Sequence, residues 1–256
     1  MMTMLSKNKI KLIRSLDHKK HRIETGLFVA EGNKLVVDIL PFFDCELLVA
    51  KPSWIATQGD LRVRELIVAE DTDISRAGLV KNPQDVIGVF AQPKRYLDKE
   101  RLKNELTLVL DGIQDPGNLG TIIRLANWFG IRNVICSPDT ADVYNPKAVQ
   151  AGMGSIAYVD VFYESLPEYL DELKGIPVYG TFLDGKILYE EKLHSAGLIV
   201  MGNEGNGIRP EVEQRITNRL YIPNFPQGSE STESLNVAVA TAIVCGEFRR
   251  QEVYAG

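Results

Sequence analysis

"LTLVLDGIQDPGNLGTIIRLANWFG", residues 106–130, changes its apolar period partway along. Leu106 to Leu110 is a run of strand length with apolar residues on both faces, whereas 118–129 carries them at helical spacing. Between the two stand a pair of turn signals, Asp-Gly and Asp-Pro-Gly, with Asn118 as the candidate helix N-cap. A strand apolar on both faces that feeds a helix is the repeating unit of a helix-covered parallel sheet.

The unit recurs downstream. Apolar runs at 133–137, 178–182, 197–202 and 220–223 alternate with helical patterns at 144–151, 166–174, 208–216 and 235–249. Residues 106–256 are therefore expected to form an α/β domain with a mostly parallel sheet flanked by helices, its ligands outside the carboxyl ends of the strands. Upstream, a short basic helix over 7–15 precedes strand candidates in "LFVA", "CELLVA", "ELIVAE" and "DVIGVFAQP", a small α/β domain over 1–93. The charged, nearly core-free stretch "KRYLDKERLKNE", 94–105, reads as the linker.

With 256 residues, 45% of them apolar, the chain can fill a sizeable core. Its longest strongly apolar run, Val237 to Cys245, is far short of the roughly 18 residues of a membrane span. The start "MMTMLSKNKIK" lacks the apolar centre of a secretory signal, so a cytoplasmic protein without a membrane partner is expected. Cys45, Cys136 and Cys245 lie far apart, and His18, His21 and His194 form no ligand constellation, so no metal is expected.

Net charge is -5, but it is unevenly spread. The first 30 residues hold Lys7, Lys9, Lys11, Arg14, Lys19, Lys20 and Arg22 against Asp17 and Glu24, giving a head of +5 on a body of -10. Such a head is a candidate contact for RNA phosphates.

Each of three strand ends leads into an unusual loop. The first leads to Asn118 and to Arg124, which projects from a largely apolar helix. The second is "GNEGNG", 202–207, whose three glycines imply close backbone approach or positive φ. It is no dinucleotide fingerprint, because Pro210 stands where that motif needs glycine, and a nicotinamide-dependent enzyme is disfavoured. The third follows the polar tract 224–233 and enters "SLNVAVATAIVCGEF", 234–248. There Ser234 is the expected N-cap, with Leu235 and Asn236 as the first two helical residues. The helix beyond is apolar nearly all round, which predicts cover from a second subunit in a homodimer.

Together the three loops resemble the motifs of the SpoU (TrmH) family of RNA 2′-O-ribose methyltransferases, of the SPOUT class. Asn118, Gly120 and Arg124 match its first motif; Gly202, Asn203, Glu204, Gly205 and Gly207 its second; Ile222, Pro223, Ser234, Leu235, Asn236 and Val237 its third. The loop 224–233 is longer than is usual in the family, and Ala238 stands where a serine is common. "KIKLIRSL", "ETGLFVAEGNKLV" and "NPQDVIGVF" resemble the ribosomal-protein-like domain with which many members bind RNA.

The resemblance implies a C-terminal trefoil knot in which S-adenosylmethionine is held by Thr181, Phe182, Gly202, Ile222 and Leu235. It implies methyl transfer to a ribose 2′-hydroxyl, with Arg124 central and Asn118, Glu204, Ser234 and Asn236 orienting substrate or loops. Arg124 would act as general base or as a cationic clamp on phosphate and developing alkoxide. Large-subunit (23S) ribosomal RNA is the expected substrate; transfer RNA, or a non-catalytic RNA-binding relative, are the alternatives.

Overall fold

The computed structural model describes residues 5–226 and 234–254. They cluster into two compact units: the chain up to Arg95 with Asp142–Ala157, and Tyr96–Ala141 with Tyr158 onward.

In chain order the first unit begins with α1 (Lys7–Ser15), α2 (Lys19–Thr25), β1 (Leu27–Glu31), α3 (Asn33–Ile39), β2 (Cys45–Ala50), α4 (Pro52–Ile55), β3 (Leu66–Val68), α5 (Asp71–Ala77) and β4 (Val86–Ala91). The chain then enters the second unit with β5 (Leu106–Asp111), α6 (Pro116–Trp128) and β6 (Asn133–Cys136). It returns to the first for α7 (Pro146–Gly152), and ends in the second with β7 (Asp160–Tyr163), α8 (Leu166–Glu172), β8 (Val178–Ile187), β9 (Gly197–Gly202), α9 (Pro210–Glu213), β10 (Asn218–Tyr221) and α10 (Val237–Tyr254).

The first unit is built on a sheet of order β1-β4-β2-β3, with β4 antiparallel to both neighbours. The basic helix α1 forms as its sequence predicts: the Ser6 hydroxyl accepts from the Lys9 N–H at 3.3 Å, and Ile13 is buried with Leu47, Val49 and Val89. Helix α2 was not anticipated; it ends at Gly26, whose φ of 65° is the left-handed conformation that glycine adopts without strain.

Residues 142–157, expected within the back domain, cluster instead with the front unit. Helix α7 packs on β1, and the Tyr144 ring lies 4.9 Å from that of Phe28. A buried ion pair accompanies this packing. Arg22 is 1% exposed, donates from Nε to Asp142 Oδ2 at 2.8 Å, and donates from Nη1 to the carbonyls of Leu16 and Asp17.

The second unit has a six-stranded, wholly parallel sheet of order β10-β8-β9-β5-β6-β7. All six residues of β5 are buried, as a strand with helices on both faces requires. On one face Val109, Ile135, Leu198 and Val200 share a core with Leu166 and Leu170 of α8 and Val212 of α9. Helix α10 packs against α6 and β9, with Phe248 edge-on to Tyr179 at 4.9 Å. The unanticipated β7 is a four-residue edge strand whose residues are all half-buried.

The ladder of β8 is interrupted midway. Arg219 of β10 pairs with Gly180 but the next residue, Leu220, pairs with Lys186, so residues 181–185 of β8 form a wide bulge opposite β10. Among the described residues no helix is long and apolar enough to cross a membrane.

Candidate active site

The parallel sheet brings the β5–α6, β9–α9 and β10–α10 connections to the same end, that of the strand carboxyl termini. The first opens on α6. Its N-cap is Asp115, not Asn118: Asp115 Oδ1 accepts from the Asn118 N–H at 2.9 Å, and Pro116 occupies the first turn, where a missing N–H costs nothing. The correction matters because it leaves the Asn118 side chain free for other partners.

The third connection is corrected in the same way. Helix α10 begins at Val237, and Asn236, not Ser234, is its cap: Asn236 Oδ1 accepts from the N–H groups of Ala238 at 2.9 Å and Val239 at 3.3 Å. Ser234 is exposed and caps nothing among the described residues, and residues 227–233 of the long loop lie outside them.

With its oxygen committed to the helix, Asn236 donates from Nδ2 to Asn118 Oδ1 at 3.1 Å, and Asn118 Nδ2 donates in turn to Glu204 Oε1 at 2.8 Å. One relay of two amides and a carboxylate thus joins all three connections. Glu204 sits in a glycine loop closed by paired backbone bonds between Asn203 and Gly207, each 2.9 Å. Asn203 Oδ1 accepts from Gly205 N and Asn206 N, and its Nδ2 donates to the Gly112 carbonyl at 2.6 Å. Gly202 permits the fold-back, since a Cβ there would overlap the backbone of Gly207 and Ile208.

Arg124 lies less than two turns beyond Asn118 on α6. It is exposed, and among the described residues its guanidinium has no hydrogen bond or ion pair. Relay and exposed guanidinium offer fixed hydrogen-bonding groups and a cation on the same helix, α6.

Three residues of this region, Asp111, Arg209 and Asp139, were not singled out from the sequence. Asp111, 1% exposed at the end of β5, accepts from Arg209 Nε at 2.7 Å and from Arg209 N at 2.8 Å. The pairing holds the Arg209 guanidinium above its ordinary pKa. Asp139, 3.5 Å from Arg209, is held below the usual carboxylate range by the Ser137 hydroxyl first and by Arg209. An acid closing an otherwise apolar strand was the available signal.

Of the five candidate cofactor residues, Thr181 and Phe182 open the bulge of β8, Gly202 ends β9, and Ile222 follows β10. Leu235, 50% exposed, precedes the cap of α10. None of the five is charged, which suits a sulfonium cation, and half-buried apolar side chains suit an adenosyl group. Phe182 is partly engaged already, with the Arg219 guanidinium 3.6 Å from its ring centroid.

The basic head is placed less uniformly. Lys7, Lys11, Lys19 and Lys20 are exposed, whereas Lys9 pairs with Glu65 and Arg14 donates to the Arg76 carbonyl. Arg22, also a candidate, is removed from the RNA-facing set by its burial against Asp142. Among the described residues no group of three or more His, Cys, Asp or Glu side chains could hold a metal ion. Burial raises all three thiols, those of Cys45 and Cys245 up to about 12, so none supplies a thiolate nucleophile.

Comparison with known proteins bears on the same segments. Residues 105–246 match the SpoU rRNA Methylase family, and residues 7–88 match the MRM3-like substrate binding domain. The chain is 35% identical over 246 residues to the 23S rRNA (guanosine(2553)-2′-O)-methyltransferase RlmP of Bacillus subtilis, covering 94% of this chain and 96% of that one. Among solved structures, a putative RNA methyltransferase of the TrmH family from Porphyromonas gingivalis superimposes with a TM-score of 0.87 at 43% identity, covering 97% of this chain and 100% of that one. The AdoMet-bound rRNA methyltransferase from Sinorhizobium meliloti gives 0.83 at 32% identity, with 96% of each chain covered.

Proposed function

Because the chain belongs to the SpoU rRNA methylase family, we propose that it methylates a ribose 2′-hydroxyl of 23S ribosomal RNA through Asn118, Arg124, Glu204 and Asn236. It is an RNA methyltransferase, and its cofactor is S-adenosylmethionine, which supplies the methyl group. The observation that carries the residue assignment is the Asn236–Asn118–Glu204 relay, which joins three sequence-distant loops at one end of the sheet, with Arg124 on the helix that Asn118 opens and unpaired among the described residues.

The protein's task is to align a weak nucleophile with the methyl donor; the 2′-hydroxyl proton passes to solvent water as the new C–O bond replaces the sulfonium C–S bond. A guanidinium stays protonated, so Arg124 acts as a cation, gripping an RNA phosphate and stabilising negative charge as it develops on the 2′-oxygen. Asn118, held from both sides, fixes the edge against which the ribose is placed, and Glu204 keeps Asn118 in orientation. Ser234, free of the helix, remains available to the substrate. Backbone and apolar groups of Thr181, Phe182, Gly202, Ile222 and Leu235 hold the cofactor, and Lys7, Lys11, Lys19 and Lys20 meet phosphates farther along the RNA.

Two features of the family belong to the same proposal. One is the trefoil knot: β10 lies beyond β8, α10 packs back on β9 and α6, and residues 181–185 bulge from the β8–β10 ladder. Knots are exceptions to ordinary chain topology. The other is a homodimer, supported by apolar side chains left open on α10 and α6, with Val239 49% and Trp128 82% exposed. A cytoplasmic location goes with the ribosomal substrate.

The test is to map 2′-O-methyl groups in total RNA from cells with and without the gene. One ribosomal position losing its mark is expected; an unchanged ribosomal pattern beside a lost transfer-RNA mark overturns the substrate assignment.

A further inference from the structure

We propose that Asp111 and Arg209 are positioning residues whose ion pair clamps the glycine loop so that Glu204 is presented to Asn118. The proposal rests on the methyltransferase reading of this site and adds two residues to it, neither touching substrate.

The geometry is that of a loop pinned at both ends to one strand terminus. At its near end Asn203 Nδ2 donates to the carbonyl of Gly112 at 2.6 Å; at its far end Arg209 gives Asp111 two hydrogen bonds, from its backbone N–H at 2.8 Å and Nε at 2.7 Å, and its Nη2 closes the ion pair at 2.5 Å. Both anchors lie on consecutive residues at the end of β5, and Asp139 adds a more distant charge, 3.5 Å from Arg209. Between them the loop projects Glu204, Gly205 and Asn206 into solvent, and among the described residues the Glu204 carboxylate bonds only Asn118. A loop with three glycines has little stiffness of its own. The end-to-end pinning supplies it.

The Asp111 carboxylate is buried, and its charge is balanced by the guanidinium it binds. Removing the Arg209 charge strands the buried Asp111 carboxylate, removing the Asp111 charge leaves Arg209 only Asp139, and either change frees the loop without removing a group assigned to RNA or cofactor. The clamp therefore acts on the rate of transfer more than on either binding step.

The experiment uses the full-length enzyme and two readouts: amide hydrogen exchange across 203–208, and single-turnover methyl transfer from labelled S-adenosylmethionine to ribosomal RNA. Asp111→Asn keeps an acceptor for the Arg209 N–H but loses the charge. Loop exchange at least tenfold faster, a transfer rate at least tenfold lower and a KM for RNA within threefold are expected. Arg209→Lys, at a half-exposed site where folding is safe, shifts both readouts the same way and decides the matter if Asp111→Asn does not fold. In either background Glu204→Gln costs less than a third of what it costs in the wild type. Unchanged loop exchange in both variants, or a Glu204→Gln effect that multiplies in full, overturns the clamp. Should the wild type transfer nothing to RNA, the methyltransferase reading of the site fails, and loop exchange still decides the clamp.

Discussion

Asn236 donates to Asn118 at 3.1 Å across a sequence separation of 118 residues, and the direction of that bond is fixed from both ends. The N–H groups of Ala238 and Val239 can only donate, so they claim the Asn236 oxygen; an ionised Glu204 can only accept, so it claims the Asn118 amide nitrogen. No other arrangement of the two amides satisfies all four partners.

That polarity separates folding from catalysis at Asn236. Asn236→Asp keeps the cap acceptor but turns a donor into a second oxygen facing Asn118, so thermal stability holds while transfer falls at least tenfold. Asn236→Ala loses the cap as well and costs about 1 kcal/mol of stability. Calorimetric unfolding beside single-turnover assays distinguishes them; an active Asn236→Asp enzyme would remove the relay from the mechanism.

Arg124→Ala lowers methyl transfer by at least 100-fold, the scale of a lost charge-stabilising group, with cofactor affinity changed less than threefold by titration calorimetry. Arg124→Lys retains the charge but loses the planar fork, and recovers only part of the rate.

Two glycines of one loop differ in what they tolerate. Gly202→Ala places a methyl in the backbone of Gly207 and Ile208 and breaks the fold-back, with loss of cofactor binding. Gly205→Ala meets only Asn203 Oδ1, at 3.6 Å, and binds cofactor normally.

The basic residues near the amino terminus divide by burial. Arg22→Ala empties a buried guanidinium site, leaves the carbonyls of Leu16 and Asp17 and the half-buried Asp142 without their donor, and destabilises the chain by about 1–3 kcal/mol, read from thermal unfolding. The double variant Lys19→Ala, Lys20→Ala unfolds like wild type but binds RNA more weakly, with a shallower dependence of affinity on salt.

Glu31 is buried with Oε2 unpartnered, and burial raises its carboxyl above the ordinary 4.5 against the opposing N–H of Leu79. A carboxyl with a raised pKa in the folded state contributes stability below about pH 4.5 and loses it as pH rises through the folded value. Glu31→Gln keeps an acceptor for Leu79 and cannot ionise, so it is more stable than wild type at neutral pH by about 1 kcal/mol. The difference closes on acidification.

The parallel sheet and the three loops were legible because local signals mark them: runs apolar on both faces, then Gly, Asn and Pro at the strand ends. Caps were not. Asp115 and Asn118 are both competent, as are Ser234 and Asn236, and the choice depends on which side chain reaches a free N–H. Partnerships across long separations left no local trace either. Arg22 looked like its basic neighbours until Asp142, 120 positions on, was placed beside it, and Asp111 meets Arg209 across 98. Short elements such as α2 and the edge strand β7 hold too few residues to establish a period.

The return of residues 142–157 to the front unit has a consequence for how such proteins can be recombined. The connector 94–105 has the look of a seam at which one substrate-recognition module could be swapped for another. A graft cut there would strip β1 of α7, leave Phe28 without Tyr144 and strand a buried guanidinium. Any transplant of the front unit must therefore carry this sixteen-residue insert with it, as two pieces of gene and not one.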